Sequence, residues 1–337
     1  MNRFLSGGAR PKADIAIDLG TANTIVVKRG GGVIFDEPTV CCFDGSGASQ
    51  ALIAAGAAAD RMVGRVTEGL RIARPLRGGV LSDIDAGREL LRYATSAGRP
   101  RWPGRRLRAL IGVPADATQA ERNALSTAAY DAGLANVELM AEPLLAAIGA
   151  GLDVAQPRGR MLVDCGAGTT EVVVISLGGI CVAKSTRIGG ETLDGALIDH
   201  LHLHHRFHIG SRNAEALKVQ VLGLLEAGLM DAPVRIRGQN MATGLPATLE
   251  LPCADLRVVY DRHLRDIVET ISAALLETPP ELSQDILEDG LTVTGGASMV
   301  GLLRTLITDA TGLDTYSPAE PLRSVAAGLE MLLNEAV

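Results

Sequence analysis

Two stretches of this sequence place the same three residue types at the same spacing: DIAIDLGTANTIVVKRGGGVIF, Asp14 to Phe35, and MLVDCGAGTTEVVVISLGGICV, Met161 to Val182. With Asp164 set beneath Asp18, Gly166 falls beneath Gly20 and Thr170 beneath Thr24, about 146 residues apart. Each copy reads as an apolar run ending in Asp, a Gly/Thr-rich turn, and a second apolar run. A Gly-rich turn can expose successive backbone N–H groups in a concave nest that binds phosphate. An Asp beside it can hold a hydrated Mg²⁺, which keeps several waters and takes few direct carboxylates. Two such turns could grip a polyphosphate between them. Gly and Thr also make ordinary turns, and one copy alone would say no more than that. A turn has no need to be duplicated together with its Asp, so the repeat favours nucleotide binding.

The remaining pieces follow in order. TVTGGASMVGLLRTL, Thr292 to Leu306, reads as a strand, a Gly-Gly turn and a helix. Its Gly295, Gly296 and Ala297 could bring backbone close to a base or phosphate at a helix N-terminus. Glu215 and Lys218 lie three apart on one helical face, where they could flank a ribose and an adenine; such a pair is also an ordinary solvated helix pair. The elements that must position these groups are two β-hairpins, each on its own α/β core.

Composition permits this. A chain of 337 residues can hold two core-bearing domains, and 47% hydrophobic with 21% charged residues suits a soluble globular protein. Aromatics are only 3%, so the cores must be Ala, Val, Leu and Ile, as in helices packed on parallel strands. A net charge of −7 argues against general nucleic-acid binding. Cys41, Cys42, Cys165, Cys181 and Cys253 form no C-x-x-C pair and fit a reducing cytoplasm. Neither a signal peptide nor an apolar run of the ~18 to 20 residues needed for a membrane span is recognisable, so membrane contact is expected to be peripheral.

With these pieces assembled, the sequence resembles the actin superfamily, and within it the MreB family of bacterial cell-shape actins, from Asp14 to about Leu332. IDLGTANT (Ile17 to Thr24) and VDCGAGTTEV (Val163 to Val172) are similar to its two phosphate motifs, AEPLLAAIGAG (Ala141 to Gly151) to its connecting helix, and TGGAS (Thr294 to Ser298) to its adenosine motif. Asn23 stands where actin itself has Lys. The resemblance implies a duplicated α/β actin-like ATPase fold, two domains of two subdomains each around a nucleotide cleft. Domain I would take residues 14–145, its small subdomain about 35–76, with a C-terminal helix at 321–337; domain II would take 146–320, its small subdomain about 186–250. The resemblance further implies ATP/ADP binding with Mg²⁺, slow hydrolysis coupled to self-assembly into protofilaments, and a peripheral place at the inner face of the cytoplasmic membrane with membrane-protein partners of the cell-shape machinery. Carried over by position, Asp18 and Asp164 would hold the hydrated Mg²⁺. Gly20, Thr21, Ala22 and Asn23, with Gly166, Ala167, Gly168 and Thr170, would line the phosphates. Glu142 would orient the attacking water, with Thr169 as its second anchor.

Three positions depart from the family pattern. Ala141 replaces the first acid of a Glu-Glu-Pro motif, and Ala167 and Ala297 replace glycines of the second phosphate loop and the adenosine motif. A Cβ at either loop position would cost of order 1 kcal/mol if φ there were positive. Ala167 also brings the loop nearer the Gly-Ala-Gly form of MamK, the magnetosome filament actin, so a filament paralogue of that kind is one alternative. A monomeric ATP-dependent enzyme or chaperone of the same fold is another, though no substrate-binding domain or sugar-phosphorylating Asp is recognisable.

Two features lie outside these motifs. GRPRWPGRRLR holds the only Trp, Trp102, among Arg99, Arg101, Arg105, Arg106 and Arg108. It follows an expected helix at 86–96 and suits an anionic membrane interface; a solvated loop is the plainer reading. His200, His204 and His208 repeat at four residues, a metal face on one unbroken helix. The family resemblance implies a helix that ends near His205, which makes the cluster an exposed helix end.

Overall fold

The computed structural model describes residues 13–45, 51–96 and 106–335. In the first half, β1 (Ile15–Leu19), β2 (Asn23–Lys28) and β3 (Gly32–Pro38) form a meander, followed by β4 (Cys41–Asp44), β5 (Leu52–Ala55), α1 (Gly56–Asp60) and β6 (Leu70–Ala73). A short β7 (Leu76–Arg77) and β8 (Val80–Leu81) pair lead to α2 (Ile84–Ala94), β9 (Arg108–Val113), α3 (Gln119–Asp131), β10 (Ala135–Ala141) and α4 (Glu142–Gly149). The second half repeats the meander as β11 (Arg160–Cys165), β12 (Thr170–Ser176) and β13 (Gly179–Thr186), and continues through α5 (Gly190–His205), β14 (Phe207–His208), α6 (Ser211–Glu226), β15 (Pro233–Asn240) and β16 (Pro246–Pro252). It ends with α7 (Cys253–Glu277), α8 (Pro280–Asp289), β17 (Leu291–Gly295), α9 (Gly301–Thr311), β18 (Thr315–Tyr316) and α10 (Ser324–Glu335).

The two main sheets have one topology. Strand order is β10-β9-β1-β2-β3 in the first and β18-β17-β11-β12-β13 in the second, with the hairpins antiparallel and β1/β9 and β11/β17 parallel. Runs such as VVVI in β12 are buried throughout, as expected of β-branched strands covered on both faces. On the outer faces α2 and α3 cover the first sheet, and α7, α8 and α9 the second. The inner faces meet a shared layer of α4 and α10. Ala16, Ile25 and Val27 pack on Leu145, Leu329 and Leu333, while Leu162, Val173 and Ile175 pack on Ala146 and Ala147. The helices cross closely because Gly149 and Gly328 lack side chains: a Cβ on Gly149 would sit 1.9 Å from the Ser324 carbonyl oxygen, and one on Gly328 2.0 Å from that of Leu145.

Two smaller sheets, β5-β4-β6 and β14-β15-β16, stand beside the main ones. Arg212 at the start of α6 donates to the Asp60 carboxylate and carbonyl, joining these outer parts. Helix α2 spans 84–94 rather than the expected 86–96, because Asp83 caps it by accepting from the Ala86 N–H at 2.9 Å. After β17 the chain makes a 3₁₀ turn at Gly296–Met299, and α9 begins only at Gly301. Strand, Gly-Gly turn and helix thus follow in the expected order, with the turn closed at Gly295, which has φ 75° and whose carbonyl accepts from Ser298 Oγ at 2.6 Å.

Candidate nucleotide site

Both Asp-Gly-Thr turns lie on the sheet faces turned toward the α4/α10 layer, and both are built alike. In the first, Thr24 Oγ1 is 2.8 Å from Thr39 Oγ1, which donates to the Gly20 carbonyl at 2.7 Å. In the second, Thr170 Oγ1 donates to the Ile188 carbonyl at 2.7 Å. Each repeated Thr thus ties its turn to the segment beyond the third strand of its meander. The second turn closes through Gly166 N–H to the Thr169 carbonyl at 2.8 Å. The start of α5 holds it from behind, with Gly190 and Glu191 N–H donating to the Gly166 and Ala167 carbonyls at 3.1 and 2.8 Å.

The turns face each other. Thr21 Oγ1 accepts from Gly79 N–H at 3.2 Å, and a Cβ on Gly168 would fall 2.4 Å from the same oxygen. Thr169 also meets Gly79, whose added Cβ would lie 2.8 Å from the Thr169 methyl. Ala22 and Asn23 are exposed at the outer edge of the first turn. Ala167 and Ala297 are absent from the residues with positive φ, so neither alanine carries the backbone cost that a left-handed position would impose. Gly295 does require glycine: its φ is positive, and a Cβ would meet the Cys165 carbonyl oxygen at 2.2 Å and Asp164 Oδ1 at 3.0 Å.

Four carboxylates gather here. Asp18 and Asp164 are the penultimate residues of β1 and β11, and Glu142 opens α4, where Pro143 suits the first turn. Glu171 stands directly opposite Asp164 across the hairpin and is 1% exposed. Desolvation, then Asp164 and Asp36, push the Asp18 carboxyl up to about 7. Desolvation raises Glu142 well above the usual range, reinforced by Glu171, Asp18 and Asp164. Desolvation also raises Glu171 to about 8, against the Ala115 N–H that donates to its Oε1 at 2.7 Å. Asp164 is raised by desolvation and partly relieved by Thr294 Oγ1, which donates to Oδ1 at 2.8 Å.

This donor set is oxygen only, which suits a hard cation. Among the described residues no three His, Cys, Asp or Glu side chains converge to ligate a metal directly.

Lys218 turns away from Glu215. Its Nζ donates to Asp194 Oδ2 at 3.0 Å and to the Gly190 carbonyl at 3.3 Å, which places it behind the second turn, while Glu215 remains exposed. The four carboxylates and both turns are therefore brought together, with Gly295 against Asp164. Sequence reasoning missed Glu171, Thr294 as the partner of Asp164, and Gly79. For Glu171 a signal existed: the repeat sets this acid against Ile25 of the first copy.

Trp102, Arg99 and Arg101 lie outside the described residues. Of the basic cluster, Arg108 is not a free surface charge as expected: it forms an ion pair with Asp14 at 3.0 Å, and Arg106 lies 4.9 Å from the Tyr130 ring centroid. The histidine ladder is broken. Helix α5 stops at His205, Arg206 takes a left-handed conformation with φ 48°, and His208 lies in β14, leaving His200 and His204 with ring centroids 4.6 Å apart. Among the described residues no helix is long and apolar enough to cross a membrane.

Comparison with known proteins agrees with this geometry. A family model described as MreB/Mbl protein matches residues 12–337. The chain is 37% identical to the cell shape-determining protein MreB of Escherichia coli K12 over 331 residues, 95% of this chain and 94% of that protein. It is 33% identical to the cell shape-determining protein Mbl of Bacillus subtilis over 321 residues, 95% of this chain and 96% of the other. Among solved structures, MreB 5 of Spiroplasma citri bound to AMPPNP superimposes with a TM-score of 0.85 at 30% identity, covering 94% of each chain. The MamK double helical filament gives 0.75 at 22% identity, covering 94% of this chain and 97% of that one, a likeness of fold alone. The repeated meanders, the paired acid-bearing turns and these similarities agree: the fold is actin-like, and the chain belongs to the MreB/Mbl family.

Proposed function

We propose that this chain is an actin-like cell-shape protein that binds ATP with Mg²⁺ between its two turns, hydrolyses it slowly and assembles with its own copies into filaments. One observation carries the reading: Asp18, Glu142, Asp164 and Glu171 converge between two repeated turns that touch through Thr21, Gly79 and Gly168. Four mutually repelling carboxylates need positive charge to become ionised together. In the proposed division, residues 14–145 with 321–337 form domain I and 146–320 domain II, so each domain contributes one turn.

Bound Mg²⁺ would neutralise charge on the phosphates as the terminal bond loosens. The chain's own groups do the placing. Backbone N–H groups of 20–23 and 167–168 donate to phosphate oxygens, Glu215 and Gly295–Ala297 flank the nucleoside with Lys218 bracing the second turn from behind, and Glu142 with Thr169 orients the attacking water. Phosphoryl transfer needs in-line placement more than a strong base, which a carboxylate held on the first turn of α4 supplies. Similarity to cell-shape proteins and to a nucleotide-bound relative supports the reading. Phosphate release and electron microscopy of the purified protein with Mg·ATP test it; a protein that neither binds ATP nor forms filaments would refute it.

A peripheral contact with the inner membrane surface is part of this proposal. Trp102, Arg99 and Arg101 would supply only a few kcal/mol per subunit, and a filament would multiply that contact. Filaments should therefore pellet with anionic liposomes in the presence of ATP, less at high salt, and Trp102→Ala filaments should stay in the supernatant. Equal binding by that variant would move the contact elsewhere.

A further inference from the structure

We propose that Glu171 is a positioning residue for hydrolysis: from β12 its carboxylate holds the Ala115 N–H of the opposite lobe and so fixes the end of β9, against which Glu142 lies. The inference rests on the hydrolytic reading above. Glu171 is 1% exposed, and its Oε1 accepts from Ala115 at 2.7 Å across 56 residues of sequence. Ala115 is separated from the end of β9 only by Pro114, and Gly112 in β9 leaves room for Glu142: a Cβ there would lie 3.0 Å from Glu142 Cγ and 3.5 Å from its Oε1. Gly79, Gly112, Pro114 and Glu142 line one cavity, and Pro114 also abuts Gly79, which touches Thr169.

Thr169 and Glu171 are two residues apart on the second turn and its strand. One rigid hairpin thus presents the second water anchor and, through Ala115, steadies the strand beneath the first. Moving the lobes apart would break this hydrogen bond and leave a buried carboxylate without its amide donor, a costly state. Closure of the lobes and alignment of Glu142 are therefore one event. The first hairpin has no such arm, because Ile25 occupies the matching position.

The test compares wild type, Glu142→Ala, Glu171→Ala and Glu171→Gln, the last of which retains an oxygen to accept from Ala115. Glu171→Ala should lose on the order of tenfold in kcat with KM within about threefold, and Glu171→Gln should recover to within about threefold of wild type. Hydrogen exchange at the Ala115 amide should be slow in wild type and Glu171→Gln and about tenfold faster in Glu171→Ala. Wild-type kcat in Glu171→Ala, a Glu171→Gln as impaired as Glu171→Ala, or an Ala115 amide exchanging as an unprotected group in wild type would each overturn the proposal. The kcat of Glu171→Gln measured against wild type, where more than about a tenfold loss would overturn the proposal, and the Ala115 exchange in wild type both stand even if Glu171→Ala fails to fold. An impaired Glu142→Ala beside a normal Glu171→Ala defeats this inference alone, whereas hydrolysis indifferent to Glu142→Ala defeats the parent reading.

Discussion

The two Asp-Gly-Thr turns share a strand arrangement and differ in how they are secured. Both sit in a meander of identical strand order, and both are tied down by the Thr that follows the turn. Opposite Asp18, however, stands Ile25, buried against the α4/α10 layer, whereas opposite Asp164 stands Glu171, which reaches the other lobe. Asp164 also receives Thr294, and its turn is backed by the start of α5. Both turns are thus tied by hydrogen bonds, the first from Thr39 and Gly79 and the second from the start of α5, but the second hairpin adds a carboxylate that accepts from a backbone N–H of the other lobe, a directional contact that the Ile25 side chain cannot make. A duplicated scaffold has kept its Asp on both sides and placed the carboxylate arm between the lobes on one.

Several measurements can break or sharpen this contrast, taken here from the largest expected effect downward. Glu142 lies near the carboxylates of both turns, and under the proposed role in orienting water Glu142→Ala should bind ATP normally, assemble into more persistent filaments and lose about 10² or more in hydrolysis rate. Wild-type phosphate release would remove Glu142 from the chemistry.

Asp164→Ala should weaken Mg²⁺-dependent ATP binding by roughly 10- to 100-fold in calorimetry, because a hydrated cation loses an anchor. Asp18→Ala should match it within about threefold; a wide gap would show that the two aspartates are not equivalent. Thr294→Val keeps the shape and deletes a hydrogen bond found only at the second turn. A net loss of about 1 kcal/mol predicts roughly fivefold weaker binding, and no change would make the Thr294 contact incidental.

The smallest effect concerns pH in the nucleotide-free protein. The Asp18 carboxyl is raised to about 7 in the fold from an ordinary 3.8, so the folded state binds this proton more tightly than the unfolded chain. The stability it contributes is full below the ordinary value and is lost as pH rises through about 7. Asp18→Asn abolishes that loss, so its melting temperature should gain on wild type between pH 5 and pH 8, by roughly 3 °C for a loss of about 2 kcal/mol. Parallel pH profiles for the two proteins would mean that Asp18 is better solvated than its position suggests.

Much of this organisation was legible in the residues themselves, because it depends on neighbours a few positions apart. The hairpins follow from apolar runs flanking Gly/Thr turns, and the 146-residue echo identified both as one device used twice. Helix α4 falls within the 141–151 stretch that resembles the family's connecting helix, and α5 ends at His205, as the same resemblance implied. What the tertiary structure alone decided are pairings between distant segments: Glu171 with Ala115, Lys218 with Asp194 rather than beside Glu215, Arg108 with Asp14, and Gly149 against Gly328. Whether an alanine in a phosphate loop is strained depends likewise on the backbone the whole fold imposes, and at Ala167 and Ala297 φ is not positive. Local periodicity encodes which face of an element is apolar, but a buried carboxylate finds its donor only after two lobes have packed. That donor is a backbone N–H, a group every residue but proline carries, so no side-chain pattern could have marked Ala115 in advance.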